Sequence, residues 1–446
     1  MPRELLTPPK NDPRTLFGWC MYDWANSAYA TTVLVGLLPY YFINSVVGPD
    51  GLAIGGTTFS GFSLWGVATG LAAFLTFLSA PVLGAIADFS AAKKRFLLFF
   101  SYGGSLFTLL LYFSRSGDVY RTLVIFLIAQ VAYIAANVFY DAFLPEIASE
   151  DKMDWISGKG YSYGYVGGGI HFGLALALVA GHASLGLSQE QAVRIAILTA
   201  GLWWGGFTLL TAKYLRETPS TTPLPEAYRG WPRPLAYATI GLSRTIRTTL
   251  RVGRFRHLIL FLIAYMLYNE GIQTVIQMAT AYGTEELRLE AWQLMLTLLI
   301  IQVIAFAGAL LFGWMAGKIG SKNAVMVSLV GWSGVVIYAC FIHTAGEYFF
   351  LGTVVGLVLG GSQALSRSLY GSMIPEGASA EFFGFYTVFS KFSSFWGPFT
   401  LATIRQLTGS ARLSIASLIV FFVLGLVLLY FVDEEKAREA KQAGAF

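Results

Sequence analysis

The feature that most constrains this chain is a series of long apolar stretches that contain almost no charged residues. A helix needs roughly 20 apolar residues to cross a hydrocarbon core about 30 Å thick. Twelve stretches meet this requirement, whereas the strands of a membrane barrel would alternate over about 10 residues. Only 12% of the 446 residues are charged, about half the share of a water-soluble domain. The sequence therefore predicts an all-α integral membrane protein.

The twelve predicted spans leave short connections except in the middle of the chain. They lie at 17–43, 58–87, 96–114, 122–143, 160–181, 191–212, 257–281, 292–316, 324–343, 347–371, 382–405 and 412–432. The longest polar insertion separates six spans from six. We therefore expect five segments, namely a tail at 1–16, a six-helix bundle at 17–212, a basic linker at 213–256, a second six-helix bundle at 257–432 and a tail at 433–446.

The Lys and Arg residues collect on one side of the predicted topology. Of the 30, 22 fall on the side of both termini and six on the opposite side. Because cytoplasmic loops carry the excess of positive charge, both termini are expected to be cytoplasmic, and we expect a bacterial inner (plasma) membrane. The same rule accounts for the net charge of +5, so nucleic acid is not expected as a partner.

The linker carries Arg244, Arg247, Arg251 and Arg254 at steps of three and four, which places them on one face of a helix. Such a helix could lie on anionic lipid headgroups or belong to a solvated basic linker. The sequence leaves both alternatives open.

The two predicted bundles repeat parts of their sequence. The residues shared at a spacing of 230 are Tyr140, Pro145, Glu146 and Ala148 with Tyr370, Pro375, Glu376 and Ala378. A glycine followed by a basic cluster also recurs, at Gly84 and at Gly313. Parallel repeats of this kind, related by an axis along the membrane normal, predict two pseudo-symmetric halves.

Polar residues inside the spans form helical stripes. An ionisable side chain at bilayer depth costs roughly 2.5 to 3.5 kcal/mol, so it persists where it meets water, a partner or a substrate. The stripes are Asp23, Asn26 and Ser27 in the first span, Gln130, Asn137 and Asp141 in the fourth, Glu270, Gln273, Thr274 and Gln277 in the seventh, and Gln363, Arg367 and Tyr370 in the tenth.

The charges of these stripes suit a zwitterionic ligand, because the Arg367 guanidinium can take a carboxylate while Asp23 or Glu270 takes an ammonium. Either acid could also carry a coupling proton if the cavity desolvates it. Purely structural interpretations remain open, since Arg367 could form a structural ion pair with Asp141. For Lys391 in the eleventh span, we expect a salt bridge between the halves in preference to substrate contact.

Catalytic and metal-binding patterns are not found in the sequence. The four histidines lie on different segments, without the spacing of a metal site. No glycine-rich loop ends in Gly-Lys-Ser or Gly-Lys-Thr, so ATP hydrolysis within this chain is not expected. We expect no enzyme activity, no catalytic residues, no metal and no cofactor.

Several motifs carry a resemblance to a known family. Gly84, Asp88 and the cluster Lys93, Lys94 and Arg95 resemble the major facilitator signature between the second and third spans, although Ala91 replaces its second glycine. Trp19–Ala28, which contains YDWANSA, resembles the start of the vacuole-effluxer-like family, named for a yeast autophagy-related vacuolar amino-acid effluxer. The stretches Tyr140–Pro145, Gly164–Gly168 and Tyr268–Val275 agree with it.

The resemblance implies that the first, fourth, seventh and tenth helices line a central cavity. Candidate substrate or coupling residues are then Asp23, Asn26, Asn137, Asp141, Glu270, Gln273, Gln277, Gln363 and Arg367. A cytoplasmic gate would comprise Gly84, Asp88, Lys93, Lys94 and Arg95 with Gly313 and Lys322 of the second copy, where Gly317 replaces the acid.

The implied function is secondary active transport of a small polar solute, an amino acid in the yeast case, by alternating access, with proton-coupled efflux as one form of it. The alternatives are an amphiphile or drug exporter of the same fold and a membrane sensor or scaffold that transports nothing. The expected partners are a small-molecule substrate, the lipid bilayer and protons, and a monomer is the default for the fold.

Overall fold

The computed structural model describes residues 9–217, 225–228, 230–251, 255–392 and 396–442. Within these ranges the chain is almost entirely helical. The one sheet among them is an antiparallel hairpin between the first two spans, in which β1 (Leu52–Ile54) pairs with β2 (Thr57–Phe59). The structure therefore agrees with the predicted all-α membrane class.

The first six predicted spans are six helices. They are α1 Pro13–Ala28, α2 Gly61–Ser90, α3 Lys93–Leu110, α4 Val119–Ala142, α5 Met153–Ala180 and α6 Gln189–Tyr214. The first span continues beyond α1 through π-helical turns to Val47. Helix α5 begins well before the predicted boundary at 160, because its first turns are too polar for a hydropathy window, yet Ser157 and Gly158 are buried in them.

The remaining long helices lie in the linker or after it. They are α7 Arg233–Arg251, α8 Arg256–Glu285, α9 Ala291–Ile319, α10 Ser321–Ala339, α11 Ala345–Met373, α12 Ser379–Phe392, α13 Trp396–Thr408, α14 Ala411–Ser417, α15 Ile419–Tyr430 and α16 Glu434–Gln442. Eleven helical segments of the described chain are long and apolar enough to cross a membrane. The predicted span 382–405 instead corresponds to the shorter helices α12 and α13, with 393–395 outside the described residues.

Local sequence signals fix several helix ends. Ser188 and Thr344 cap α6 and α11 with their side chains, each in a reciprocal capping box with the residue three positions later. Helix α9 ends at Gly320 with a positive φ, as glycine allows. Helix α2 ends at Ala91, whose φ of 44° lies in the left-handed region that favours glycine.

The N-terminal half (9–217) and the C-terminal half (255–442) pack against each other through small residues. A Cβ atom built on Gly84 of α2 would lie 2.2 Å from the carbonyl oxygen of Ala380 in α12. On the other side of the molecule, a Cβ atom on Gly158 of α5 would lie 2.5 Å from the oxygen of Ala309 in α9. Both contacts lie toward the end of the bundle that carries the loops after α2, α4, α9 and α11. We call it the charged end. Close backbone approach holds the halves together there.

The linker forms an ordered helix, α7, against the charged end. Tyr237 packs its ring on Phe89 near the end of α2, with the centroids 5.9 Å apart. Arg244 turns toward the protein and lies 3.7 Å from the carboxylate of Glu381 in α12. Of the predicted arginine row, the Arg251 side chain and Arg254 fall outside the described residues. Arg244 thus contacts the protein, whereas Arg247 is exposed, and the two sequence alternatives stay predictions.

Candidate functional site

A cavity of about 230 Å³ lies between the two halves. Residues of α1, α4 and α5 line it on one side, and residues of α8, α11 and α12 line it on the other. Six of the lining residues are tyrosines, namely Tyr133, Tyr140, Tyr161, Tyr265, Tyr268 and Tyr386. The cavity is thus a polar, aromatic-walled space shared by both halves.

Six of the nine candidate binding or coupling residues line this cavity. They are Asp23, Asn137, Asp141, Gln273, Gln363 and Arg367. They come from the first, fourth, seventh and tenth spans, the four helices whose stripes were expected to converge. The structure therefore brings these stripes together, while their roles in transport stay a prediction.

Arg367 of α11 forms the centre of an ion cluster across the two halves. Its Nη1 lies 3.0 Å from Asp141 Oδ1 and 3.8 Å from Asp23 Oδ2. Its Nε donates to Ser157 Oγ at 3.0 Å, and its Nη2 donates to the Ser157 carbonyl oxygen at 2.9 Å. We call Asp23, Asp141 and Arg367 the central triad, which has one more acid than base.

Aromatic rings complete the surroundings of the Arg367 guanidinium. Its carbon lies 4.2 Å from the ring centroid of Tyr161, 4.8 Å from that of Trp19 and 5.2 Å from that of Tyr140. Tyr140 also donates its hydroxyl to Asp23 Oδ2 at 2.9 Å. Because cation–π contacts add to the charge-assisted hydrogen bonds, Arg367 is firmly held by the N-terminal half.

Asn26 lies behind the cavity wall. Its side-chain amide donates to Asn137 Oδ1 at 2.7 Å, and only 2% of its surface is exposed. It does not line the cavity, so its contact with a substrate would have to run through Asn137, whose amide it orients.

Glu270 and Gln277 lie outside the cavity, contrary to the sequence expectation. Glu270 is 2% exposed and accepts a hydrogen bond from the backbone N–H of Gly397 in α13. Gln277 is exposed and is not among the lining residues. Successive residues differ by about 100° around a helix, and the packing of α8 turns Asn269 and Gln273 to the cavity instead. Glu270 therefore belongs to a buried contact between helices.

Lys391 is the site residue that sequence reasoning assigned elsewhere. It lines the cavity beside Thr387 and Ser390, at the i, i+3 and i+4 spacing of one helix face. Among the described residues it forms neither an ion pair nor a hydrogen bond. The expected salt bridge between the halves is thus not found there. The helical spacing of polar residues that identified the other stripes could also have identified Lys391 as a cavity residue.

The predicted gate residues Asp88 and Lys93 join the halves at the charged end. Asp88 lies 3.0 Å from Lys93 Nζ and accepts hydrogen bonds from the backbone N–H groups of Ala380 and Glu381 at 3.1 and 2.8 Å. Lys93 also pairs with Glu146 and donates to Ser379 Oγ at 3.1 Å. A carboxylate on the first N–H groups of α12 is favoured by the helix dipole.

Other members of the predicted gate have different partners. Lys94 donates to the carbonyl oxygen of Leu215 at 2.6 Å, within the N-terminal half. Glu217 accepts the backbone N–H groups of Lys93 and Lys94, and burial raises the pKa of its carboxyl to about 7. Arg95 is exposed, and no ion pair joins it to the described residues. Lys94 and Arg95 are therefore not placed to hold the halves together.

The second copy of the motif does not reproduce the charged contact. Gly313 lies where α9 approaches α5, and a Cβ atom on it would be 3.2 Å from the carbonyl oxygen of Asp154. Lys322 donates to the carbonyl oxygens of Tyr430 and Val432 at 2.8 and 2.7 Å. Both partners belong to the C-terminal half, so Lys322 caps the end of α15 and does not bridge the halves.

Comparison with solved structures identifies the fold. The fold superposes on the major facilitator superfamily proton:xylose symporter XylE with a TM-score of 0.67 and 14% identity, covering 97% of this chain and 98% of XylE. The chain therefore has the major facilitator superfamily fold.

Sequence comparison gives the family. Residues 11–442 match the family described as "Vacuole effluxer Atg22 like", and the chain belongs to that family. "Uncharacterized MFS-type transporter YxiO" of Bacillus subtilis (strain 168) is 32% identical over 426 residues, which are 95% of this chain and 96% of the relative. "Autophagy-related protein 22" of Pyricularia oryzae is 30% identical over 302 residues, which are 64% of this chain and 44% of that longer relative.

Proposed function

We propose that this transporter moves a small zwitterionic solute, an amino acid, across the membrane by alternating access. The observation that carries the proposal is the central triad in the cavity between the halves. Two carboxylates share one guanidinium, so the triad keeps a net negative charge that can attract a substrate ammonium. An amino acid supplies that group together with a carboxylate.

The size and lining of the cavity favour a small polar solute over a drug or other large amphiphile. Drug-sized ligands occupy pockets of about 300 to 1,000 Å³ with predominantly hydrophobic walls. This cavity holds about 230 Å³ and carries both acids and bases. The exporter of amphiphiles is therefore the weaker proposal.

Alternating access would rock the bundles at 17–212 and 257–432 around the cavity, with the linker at 213–256 between them. Arg367 crosses from the C-terminal half to Asp141 and Ser157 of the other half. Opening at the charged end would separate these partners. A substrate ammonium or a proton on Asp23 or Asp141 would replace the charge that the carboxylates lose when Arg367 withdraws.

Efflux is the direction that we propose, since the family is described by a vacuole effluxer. Proton coupling follows from the acids of the triad, one of which must change partners in each cycle. We also propose a monomer in a bacterial inner membrane with both termini in the cytoplasm. The excess of Lys and Arg on that side of the topology supports this orientation.

Transport in proteoliposomes tests the proposal. Purified protein is reconstituted with each of the common labelled L-amino acids inside, and net efflux is measured with and without an imposed pH gradient. We expect efflux of at least one amino acid, faster with the gradient, and a loss of on the order of 100-fold in Asp141→Asn.

Glu190→Gln serves as the matched control, because Glu190 is an exposed acid outside the cavity. Its efflux rate should equal that of the wild type. If no amino acid leaves the wild-type vesicles, the proposed substrate class is wrong. Net efflux that does not depend on the pH gradient would leave the substrate class standing and refute proton coupling.

A further inference from the structure

We propose that Lys391 is the cation that binds the substrate carboxylate. This inference rests on the proposed amino-acid transport and names the group that would anchor its substrate. Lys391 faces the cavity from α12, opposite in charge to the excess acid of the central triad.

The other buried cations of the cavity region already have protein partners. Lys93 is paired with Asp88 and Glu146 at the charged end. Arg367 is paired with Asp141 and Asp23. No carboxylate of the described residues lies within ion-pair distance of Lys391. A lysine in a membrane span persists where water, a partner or a substrate interacts with its charge. Lys391 lines the cavity, where a substrate could do so.

Arg367 is poorly placed to take the carboxylate itself. All three of its nitrogen atoms are engaged, by Asp141 and by the side chain and backbone of Ser157. Three aromatic rings pack around the same guanidinium. A carboxylate would have to displace these contacts, whereas the ammonium of Lys391 offers up to three donors to an incoming oxygen.

Binding to the purified full-length protein in lipid nanodiscs tests the anchor. The probes are the common L-amino acids, the amides of phenylalanine and leucine, and the deaminated acids 3-phenylpropionate and 4-methylpentanoate. We expect phenylalanine or leucine to bind on the order of 30-fold more tightly than its amide, because the amide leaves the Lys391 charge unpaired. Lys391→Met should reduce this preference to about threefold or less, and Lys391→Arg should restore much of it.

Lys159→Met is the matched control, since Lys159 lies in the span helix α5 but does not line the cavity. It should keep the preference of the wild type. A thermal unfolding midpoint measured without ligand separates misfolding of Lys391→Met from loss of the anchor. The affinity of that variant for the amides provides a second check, because it should not fall.

The outcomes separate the anchor from the proposed function. If amino acids bind and Lys391→Met keeps the preference for carboxylate over amide, the anchor is refuted and amino-acid transport stands. If only the deaminated acids bind, and through Lys391, the anchor stands and the amino-acid proposal fails. If no probe with a carboxylate binds to the wild type, both proposals are wrong.

Discussion

At the scale of single residues, strain and charge are concentrated at the site and the charged end. Arg367 is only 1% exposed, and its buried charge is compensated by two acids, a serine and three aromatic rings. Ala91, by contrast, adopts a left-handed conformation at the end of α2 with φ 44° and ψ 51°. The left-handed conformation costs an alanine roughly 1 to 2 kcal/mol, because its Cβ approaches the backbone.

Replacing Ala91 with glycine should therefore stabilise the protein. We expect Ala91→Gly to raise the free energy of unfolding by about 0.5 to 1 kcal/mol, since the relief of strain exceeds the added chain entropy of glycine. Thermal unfolding in detergent measures the effect. Ala92→Gly is the matched control, because Ala92 has a φ of −121° and gains nothing from glycine. Equal shifts in both variants would contradict the assignment of strain to Ala91.

At the scale of elements, α7 has two unlike faces. Its buried face carries Ala236 and Ile240 and turns Arg244 toward Glu381. The opposite face exposes an apolar row with helical spacing, Leu235, Leu242, Ile246 and Leu250, each more than half exposed. A helix that leaves such a row uncovered at the end of a membrane bundle is typical of one that lies in the lipid interface.

If α7 lies in the lipid interface, fluorophores on its different faces should be reached by different quenchers. In a background with Cys20 and Cys340 replaced by alanine, a fluorophore on Leu242→Cys should be quenched by nitroxide lipids because the apolar row enters the headgroup and acyl boundary. A fluorophore on Arg247→Cys, which is exposed on another side of the helix, should respond more to a water-soluble quencher. If Leu242→Cys were quenched only from water, α7 would be a solvated linker.

At the scale of the whole molecule, the charged end is closed by a glycine contact and by hydrogen bonds of charged side chains. Gly84 lets α2 touch α12, and Asp88 binds the first N–H groups of the same helix. Lys93 joins Asp88 and Glu146 beneath Ser379. The two ion pairs of Lys93 lie within the N-terminal half. Opening this end requires that the contacts of Gly84, Asp88 and Lys93 with α12 separate together, since these contacts join the two halves.

A side chain at Gly84 should push the halves apart. We expect Gly84→Val to expose the buried start of α12, so that Ser379→Cys reacts several-fold faster with a water-soluble maleimide in a background without native cysteines. Its Cβ would otherwise lie 2.2 Å from the oxygen of Ala380. Gly70→Val in the same helix is the matched control, because no atom lies within 4 Å of a Cβ there. Unchanged labelling in Gly84→Val would show that the contact does not hold this end closed.

Hydropathy predicted the spans and helical spacing predicted the polar stripes, because both features depend on local sequence. Eleven spans lie close to their predicted positions, and the residues of four stripes reach the cavity. The start of α5 was missed, since burial of Ser157 depends on a partner helix and not on its own neighbours in sequence. The second gate motif was likewise given a role in a gate, although Lys322 caps a helix of its own half.

The sequence by itself determined a transporter-like bundle of apolar helices, with acids and bases where only a shared cavity could tolerate them. Tertiary packing decided which of these charges meet. The rotation of α8 buries Glu270 and turns Gln273 inward, because one residue step is about 100° around a helix. Packing also brings Asp141 and Asp23 into ion-pair distance of Arg367, whereas Lys391 lines the cavity. Such pairings join residues far apart in the chain, so no local pattern could have fixed them.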